Sequence, residues 1–153
     1  MIYPGFDGNI HLPNLKGVFT MKKQTESTLT VLLVEPEKKP RVVTIPHTLE
    51  EMQNLVGGLI ECIQPFTDSE VALISNEEGK LLGLPLNRFV FWKDSTEPFD
   101  IIAGTFFLVG APFGSEEFES LPEDKIEKFR EKFAHPEMFI RTELGILSIP
   151  IND

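Results

Sequence analysis

The sequence predicts an α+β fold: a small, mostly antiparallel or mixed sheet of about five strands, with one short and one longer C-terminal helix. Three observations lead there. Apolar, β-branched runs of strand length recur, as in TLTVLLVE (Thr28 to Glu35) and VALIS (Val71 to Ser75). Two other segments place their apolar residues at helical spacing behind a capping signal. The resulting order is strand, strand, helix, strand, strand, strand, helix.

Thr28 to Glu35 reads as a buried strand, and the proline-bounded PEKKP connects it to a second strand, RVVTI (Arg41 to Ile45), as a hairpin. Pro46 stops that strand. Thr48-Leu49-Glu50-Glu51 then matches a capping box, with Thr48 as N-cap and Glu51 reaching back. Leu49, Met52, Leu55 and Val56 share one face of the short helix, and Gly57-Gly58 closes it. Leu59 to Gln64 and Val71 to Ser75 are the next two strands, followed by the polar segment NEEGKLLGLPLNR, then Phe89-Val90-Phe91-Trp92. Ile101 to Val109 reads as one strong strand with a bulge or close backbone approach at Gly104. Ser120-Leu121-Pro122-Glu123 resembles a second capping box, ahead of Ile126, Phe129 and Phe133 at helical spacing. His135-Pro136 ends that helix.

Residues 1–27 read as an N-terminal extension interrupted by prolines and glycines, with Met21 competing with Met1 as the biological start. Residues 28–139 form the α+β domain, and residues 140–153 a tail or edge strand.

Composition narrows the function. The chain has 153 residues, 14 Lys+Arg against 24 Asp+Glu, and a formal charge of −10. That excess repels nucleic-acid backbones and anionic membranes, so coating of nucleic acid is excluded, while a small anion held by a few local cations is not. No apolar run reaches the length of a membrane span. The lone Cys62 allows no internal disulfide and fits a cytoplasmic location. Thirteen Phe against one Tyr and one Trp are expected in a core or an apolar contact surface. His11, His47 and His135 share no metal-ligand spacing, so neither a metal nor a cofactor is expected.

Catalytic patterns are missing as well. No phosphate-binding GxxxxGK[ST] and no GxSxG occurs. Cys62 lies between isoleucines in a strand, as an inert thiol would. Glu77-Glu78 on a turn diverge and lack the apolar cover that raises a carboxyl pKa. His47 reads as a neighbour of the helix cap.

The busiest stretch runs from Asn76 to Arg88. A tight turn accounts for Asn76-Glu77-Glu78-Gly79, since Asn and Gly tolerate positive φ. Arg88 suits paired contacts with phosphate or carboxylate, Asn87 offers a donor and an acceptor, and Lys80 adds a second cation. A surface ion pair between Arg88 and one of the many acids explains the arginine equally well. On the residues alone both readings stand.

Four stretches carry a resemblance to a known family: LLVEPEKKPRVVTI, TLEEMQNLVGGLIECI, SNEEGKLLGLPLNR and DIIAGTFFLVG. The chain is identified as a member of the domain of unknown function 3846 family, small proteins of bacteria, phages and mobile elements. LPEDKIEKFREKFAHPEMF resembles that family's usual ending, so the resemblance covers roughly residues 30–139. The family pattern includes Asn76-Glu77-Glu78-Gly79, Asn87-Arg88 and the Gly104-Thr105 step, which favours a ligand or partner site over a plain connection.

The resulting expectation is a non-enzymatic binding protein of phage or mobile-element origin that sequesters a small anionic nucleotide signal of host defence. Asn76, Glu77, Gly79, Lys80, Asn87, Arg88, Gly104 and Thr105 would form its site. Arg88 and Lys80 would meet phosphate, Asn76 and Asn87 would read sugar or base edges, and Phe89 or Trp92 would stack on a base. The alternative is an acidic protein–protein interaction module that inhibits a host nucleic-acid enzyme. Homo-oligomerisation is compatible with either.

Overall fold

The structure is a computed structural model that describes residues 28–151. The expected extension of residues 1–27, with the choice of start at Met21, lies outside the described residues.

Five strands form the central sheet: β1 (Thr28–Val34), β2 (Arg41–Pro46), β3 (Ile60–Ile63), β4 (Val71–Asn76) and β7 (Phe106–Gly110), in the order β2-β1-β7-β4-β3. Every pairing is antiparallel. The strands at its centre are apolar on both sides because both faces are covered. Leu29, Val31, Leu33, Ala72, Ile74, Phe107 and Val109 face helix α1 (Leu49–Val56), which contributes Met52 and Val56. Leu32, Val34, Val71, Leu73, Phe106 and Leu108 face the other way, onto Ile126, Phe129 and Phe133 of the α2 (Glu123–Lys132) region. Val90 and Ile102 of a separate hairpin, β5 (Leu86–Phe91) and β6 (Pro98–Ala103), complete that second core. Phe66 lies 4.6 Å from Phe129, and Phe106 lies 5.4 Å from Phe133, between ring centroids. Four phenylalanines, Phe66, Phe106, Phe129 and Phe133, therefore build this second core, while Phe107 and Phe118 lie in the first.

The first capping box forms in part. Thr48 Oγ1 accepts from the Glu51 N–H at 3.1 Å, while the Thr48 N–H donates to the Pro46 carbonyl rather than to Glu51. Gly57 closes α1 in the left-handed region, at φ 80°.

Three expectations are corrected. Ile101 to Val109 is not one strand: β6 ends at Ala103 and β7 begins at Phe106. Gly104 turns between them at φ 85°, and its N–H donates to Pro85 O at 2.7 Å. The chain thereby leaves the outer hairpin and enters the central sheet. The second capping box does not form either. Ser120 Oγ accepts the Thr30 N–H at 2.9 Å, and the Leu121 N–H donates to Thr30 O, so these residues are tied to β1. Helix α2 then starts after Pro122, with no side-chain cap. Finally, Phe139 belongs to no helix ending. It lies in β8 (Glu137–Thr142), which pairs with β9 (Gly145–Pro150) in a second hairpin that replaces the expected single edge strand. No helix among the described residues is long and apolar enough to cross a membrane.

Candidate functional site

Asn87 and Arg88 enter the interior together because β5 carries an irregularity there. Leu86 pairs with Ala103 and Arg88 with Ile102, leaving Asn87 as an extra residue of the kind that re-aims side chains. Asn87 is 0% and Arg88 1% exposed. Asn87 Nδ2 donates to Val34 O and to Gly104 O, both at 2.9 Å, stitching β5 to β1 and to the β6–β7 turn. The Arg88 guanidinium donates from Nε and Nη2 to Phe133 O at 3.3 and 2.9 Å, and from Nη2 to Lys38 O at 2.7 Å. Its Nη1 donates to Asn87 Oδ1 at 2.8 Å and Asn87 O at 3.4 Å.

A guanidinium has five N–H groups, and these contacts engage both Nη atoms and Nε. Phe133 is the C-cap of α2, so Arg88 covers a carbonyl the helix leaves unsatisfied and places positive charge at the negative end of its dipole. Burial pulls the Arg88 pKa below its ordinary value, and the negative charge of Glu137 works against that pull. Neither sequence reading of Arg88 matches this geometry. Among the described residues the side chain is 1% exposed and its partners are carbonyl and amide oxygens, so it is an internal strut.

The rest of the predicted segment behaves similarly. Asn76 is buried at the end of β4, where Nδ2 donates to Val56 O at 3.1 Å and Oδ1 accepts from the Glu78 N–H at 2.7 Å. Gly79 is packed so closely that an added Cβ would lie 2.6 Å from Ala103 O. Lys80 forms an ion pair with Asp100. Thr105 is half-buried in the step between β6 and β7, and Gly104 O accepts from Asn87. Phe89 lies against Phe139 at 5.5 Å, whereas Trp92 is exposed, 5.1 Å from Phe99.

The structure does bring Asn76, Glu77, Gly79 and Lys80 together, around a recess of about 130 Å³. Glu61, Glu78 and Asp100 also line it, so acids outnumber Lys80 and the local field opposes an anion. Its volume is well below the roughly 300 Å³ at which small-molecule pockets begin.

A larger recess of about 480 Å³ opens elsewhere, lined by Lys39, Pro40, Arg130, Ala134, His135, Pro136 and Ile151. No carboxylate is among these residues. One wall is the β1–β2 loop and the other is the end of α2. Lys38 and Phe133, whose carbonyls Arg88 joins, immediately precede lining residues in each wall. The strut therefore fixes the width of this recess from behind. Arg130 is half-exposed and reaches Glu127 only at 3.8 Å.

The Domain of unknown function (DUF3846) family matches residues 29–134. The chain belongs to that family. No curated protein and no solved structure matches it. The DUF3846 span holds every residue from Asn76 to Thr105 and the Lys39 and Arg130 walls of the larger recess; His135, Pro136, Ile151 and the β8–β9 hairpin lie past its end.

Within this DUF3846 domain, Cys62 is buried and burial pushes its thiol far up, in keeping with an inert strand residue. Among the described residues no group of three or more His, Cys, Asp or Glu side chains could hold a metal. Sequence reasoning missed Lys39, Arg130 and His135 because they come from two distant segments. The one signal was the basic run in PEKKPR, which a hairpin loop also explains.

Proposed function

We propose that this protein is a non-enzymatic binding protein that holds a small anionic ligand of nucleotide type, and that the ligand sits between the β1–β2 loop and the end of α2. One observation carries the reading: in a chain of charge −10, the described residues lining a recess of about 480 Å³ include Lys39, Arg130 and His135 and no acid. Arginine suits forked contact with phosphate oxygens and lysine supplies a point charge. Pro40, Pro136 and Ile151 give the apolar wall on which a base or sugar can rest. In this reading Arg88 and Asn87 hold the walls rather than the guest. Binding without turnover suits sequestration, and a phage or mobile-element protein withholding a nucleotide signal of host defence is the role it would serve.

Titration calorimetry at low salt, with a panel of nucleotides and inorganic pyrophosphate, tests this. Saturable binding is expected, weakened about tenfold or more by Arg130→Ala and left unchanged by Lys80→Ala. Absence of heat across the panel, or equal loss with both variants, overturns the proposal.

The acidic interaction module keeps one observation in its favour. The turn after β4 exposes Glu77, Glu78, Leu81 and Leu82 side by side in sequence, an acidic tip with two aliphatic side chains in solvent. A host protein captured by the wild type and lost with Leu81→Ser plus Leu82→Ser, without any nucleotide effect, would transfer the assignment to that reading.

A further inference from the structure

The β8–β9 hairpin shows a surface that anion binding does not use. Its cross-strand pairs Met138 with Ile149 and Ile140 with Leu147 lie on one face, between 42% and 57% exposed. The alternate residues turn toward the domain, where Phe139 meets Phe89 and Ser148 bonds Glu137. Among the described residues β9 pairs only with β8, so its outer edge is a row of unpaired backbone groups.

Proteins usually blunt such an edge with a charge, a proline or a bulge. The other edge strands here follow that rule: β2 carries Arg41, β3 Glu61, β6 Asp100 and β8 Glu137 with Arg141, while β5 is broken by register irregularities. Strand β9, GILSIP, has no charged residue, and its pairing with β8 runs without a bulge. Its only proline is the last residue.

We propose that β9 pairs with β9 of a second copy of this chain, antiparallel about a two-fold axis at Leu147. Leu147 then lies opposite its own mate and Ile149 opposite Gly145, with Pro150 just outside the ladder where its missing N–H costs nothing. The occupant follows from charge. Two chains of −10 repel each other across most of their surface, and an uncharged strip is where like copies approach at least cost. An antiparallel self-pair is also closed by symmetry, so it stops at a dimer. The product is a four-stranded sheet whose Met138, Ile140, Leu147 and Ile149 side chains form one continuous apolar face with their mates. A hairpin alone is marginal, and two joined hairpins meet the usual requirement of three or more strands with an apolar face.

The Gly145–Ile149 ladder covers less than the roughly 800 Å² per partner of a standard interface, so the dimer is weak and concentration-dependent. Sedimentation equilibrium of the full chain over a concentration series is expected to show monomer and dimer. Leu147→Lys and Ile149→Lys each raise the dissociation constant about tenfold or more, with unchanged melting because both side chains are exposed. Amide exchange in Gly145–Ile149 slows as concentration rises, on alternate residues. A monomer at every concentration, a dimer indifferent to both lysines, or a different protein bound to this edge overturns the proposal.

Discussion

The recess beside Glu77 and Lys80 and the recess beside Lys39 and Arg130 differ in size and in sign. The smaller, about 130 Å³, is lined by four acids and one lysine already paired with Asp100. The described residues lining the larger, about 480 Å³, include a lysine, an arginine and a histidine and no acid. The first is centred on the turn after β4, with Glu61 of β3 and Asp100 of β6 beside it, and the second lies between the β1–β2 loop and the end of α2. The contrast teaches that a polar-rich stretch reports first on the backbone it must satisfy. Asn76, Asn87 and Arg88 each answer carbonyls that an irregular connection leaves open. A charge surplus is more informative where distant segments assemble it.

The largest effect expected from this contrast concerns the strut. Arg88→Met leaves Phe133 O, Lys38 O and Asn87 Oδ1 without their donors, a loss of about 3–5 kcal/mol in unfolding free energy. Arg88→Lys restores little, because one ammonium cannot reach three acceptors fixed by a planar fork. Lys80→Ala, cutting an exposed ion pair, costs no more than about 1 kcal/mol. Denaturant unfolding of the three variants measures this. Equal losses at Arg88 and Lys80 would end the distinction between internal strut and surface pair.

Much of the fold was legible because burial on two faces writes continuous apolar strands, as in β1, β4 and β7, and because Thr48 and Gly57 mark both ends of α1. What escaped has physical causes. The bond from Ser120 to the β1 backbone is non-local and overrides a cap that local spacing suggested. Gly104 stands out in its apolar run, but a bulge and a crossing between sheets look alike until the partner strands are known. Arg88 stands out in the same way. Nothing in one sequence says whether a guanidinium meets phosphate or the last carbonyl of a helix, since both offer oxygen acceptors.

Of intermediate size are the effects at the two glycines that close the predicted segment onto β6. Gly79→Ala puts a methyl 2.6 Å from Ala103 O, a backbone atom, so the turn must move; about 1–3 kcal/mol is expected. Gly104→Ala places its methyl 2.7 Å from Leu84 Cδ1, which can rotate away, but φ 85° remains strained for an L side chain. If the acidic recess were the ligand site, Gly79→Ala would lower anion affinity at temperatures where the fold is intact. The expected result is lower stability with calorimetric affinity unchanged.

The smallest effect separates the two ends of α2. Its C-terminal end rests on Arg88, whose charge does not titrate near neutrality. Near its N-terminal end Lys125 Nζ lies 2.9 Å from Asp68 Oδ2 in the β3–β4 loop. Burial works upward on the Asp68 carboxyl, but the Lys125 hydrogen bond, the Glu70 N–H and the charges of Lys125 and Lys128 outweigh it and hold the pKa below the usual value. A carboxyl depressed in the folded state stabilises above its unfolded pKa of about 3.9 and loses that contribution as pH falls through the lower folded value. The stability gap between wild type and Asp68→Asn is therefore expected to be up to about 1 kcal/mol near neutrality and to close below about pH 4. The gap for Arg88→Met should remain the larger of the two throughout the same range. Urea midpoints measured across that range decide it. A gap for Asp68→Asn that does not change with pH would mean that charge contributes nothing at this end, and that packing of Phe129 and Ile126 alone seats the helix there.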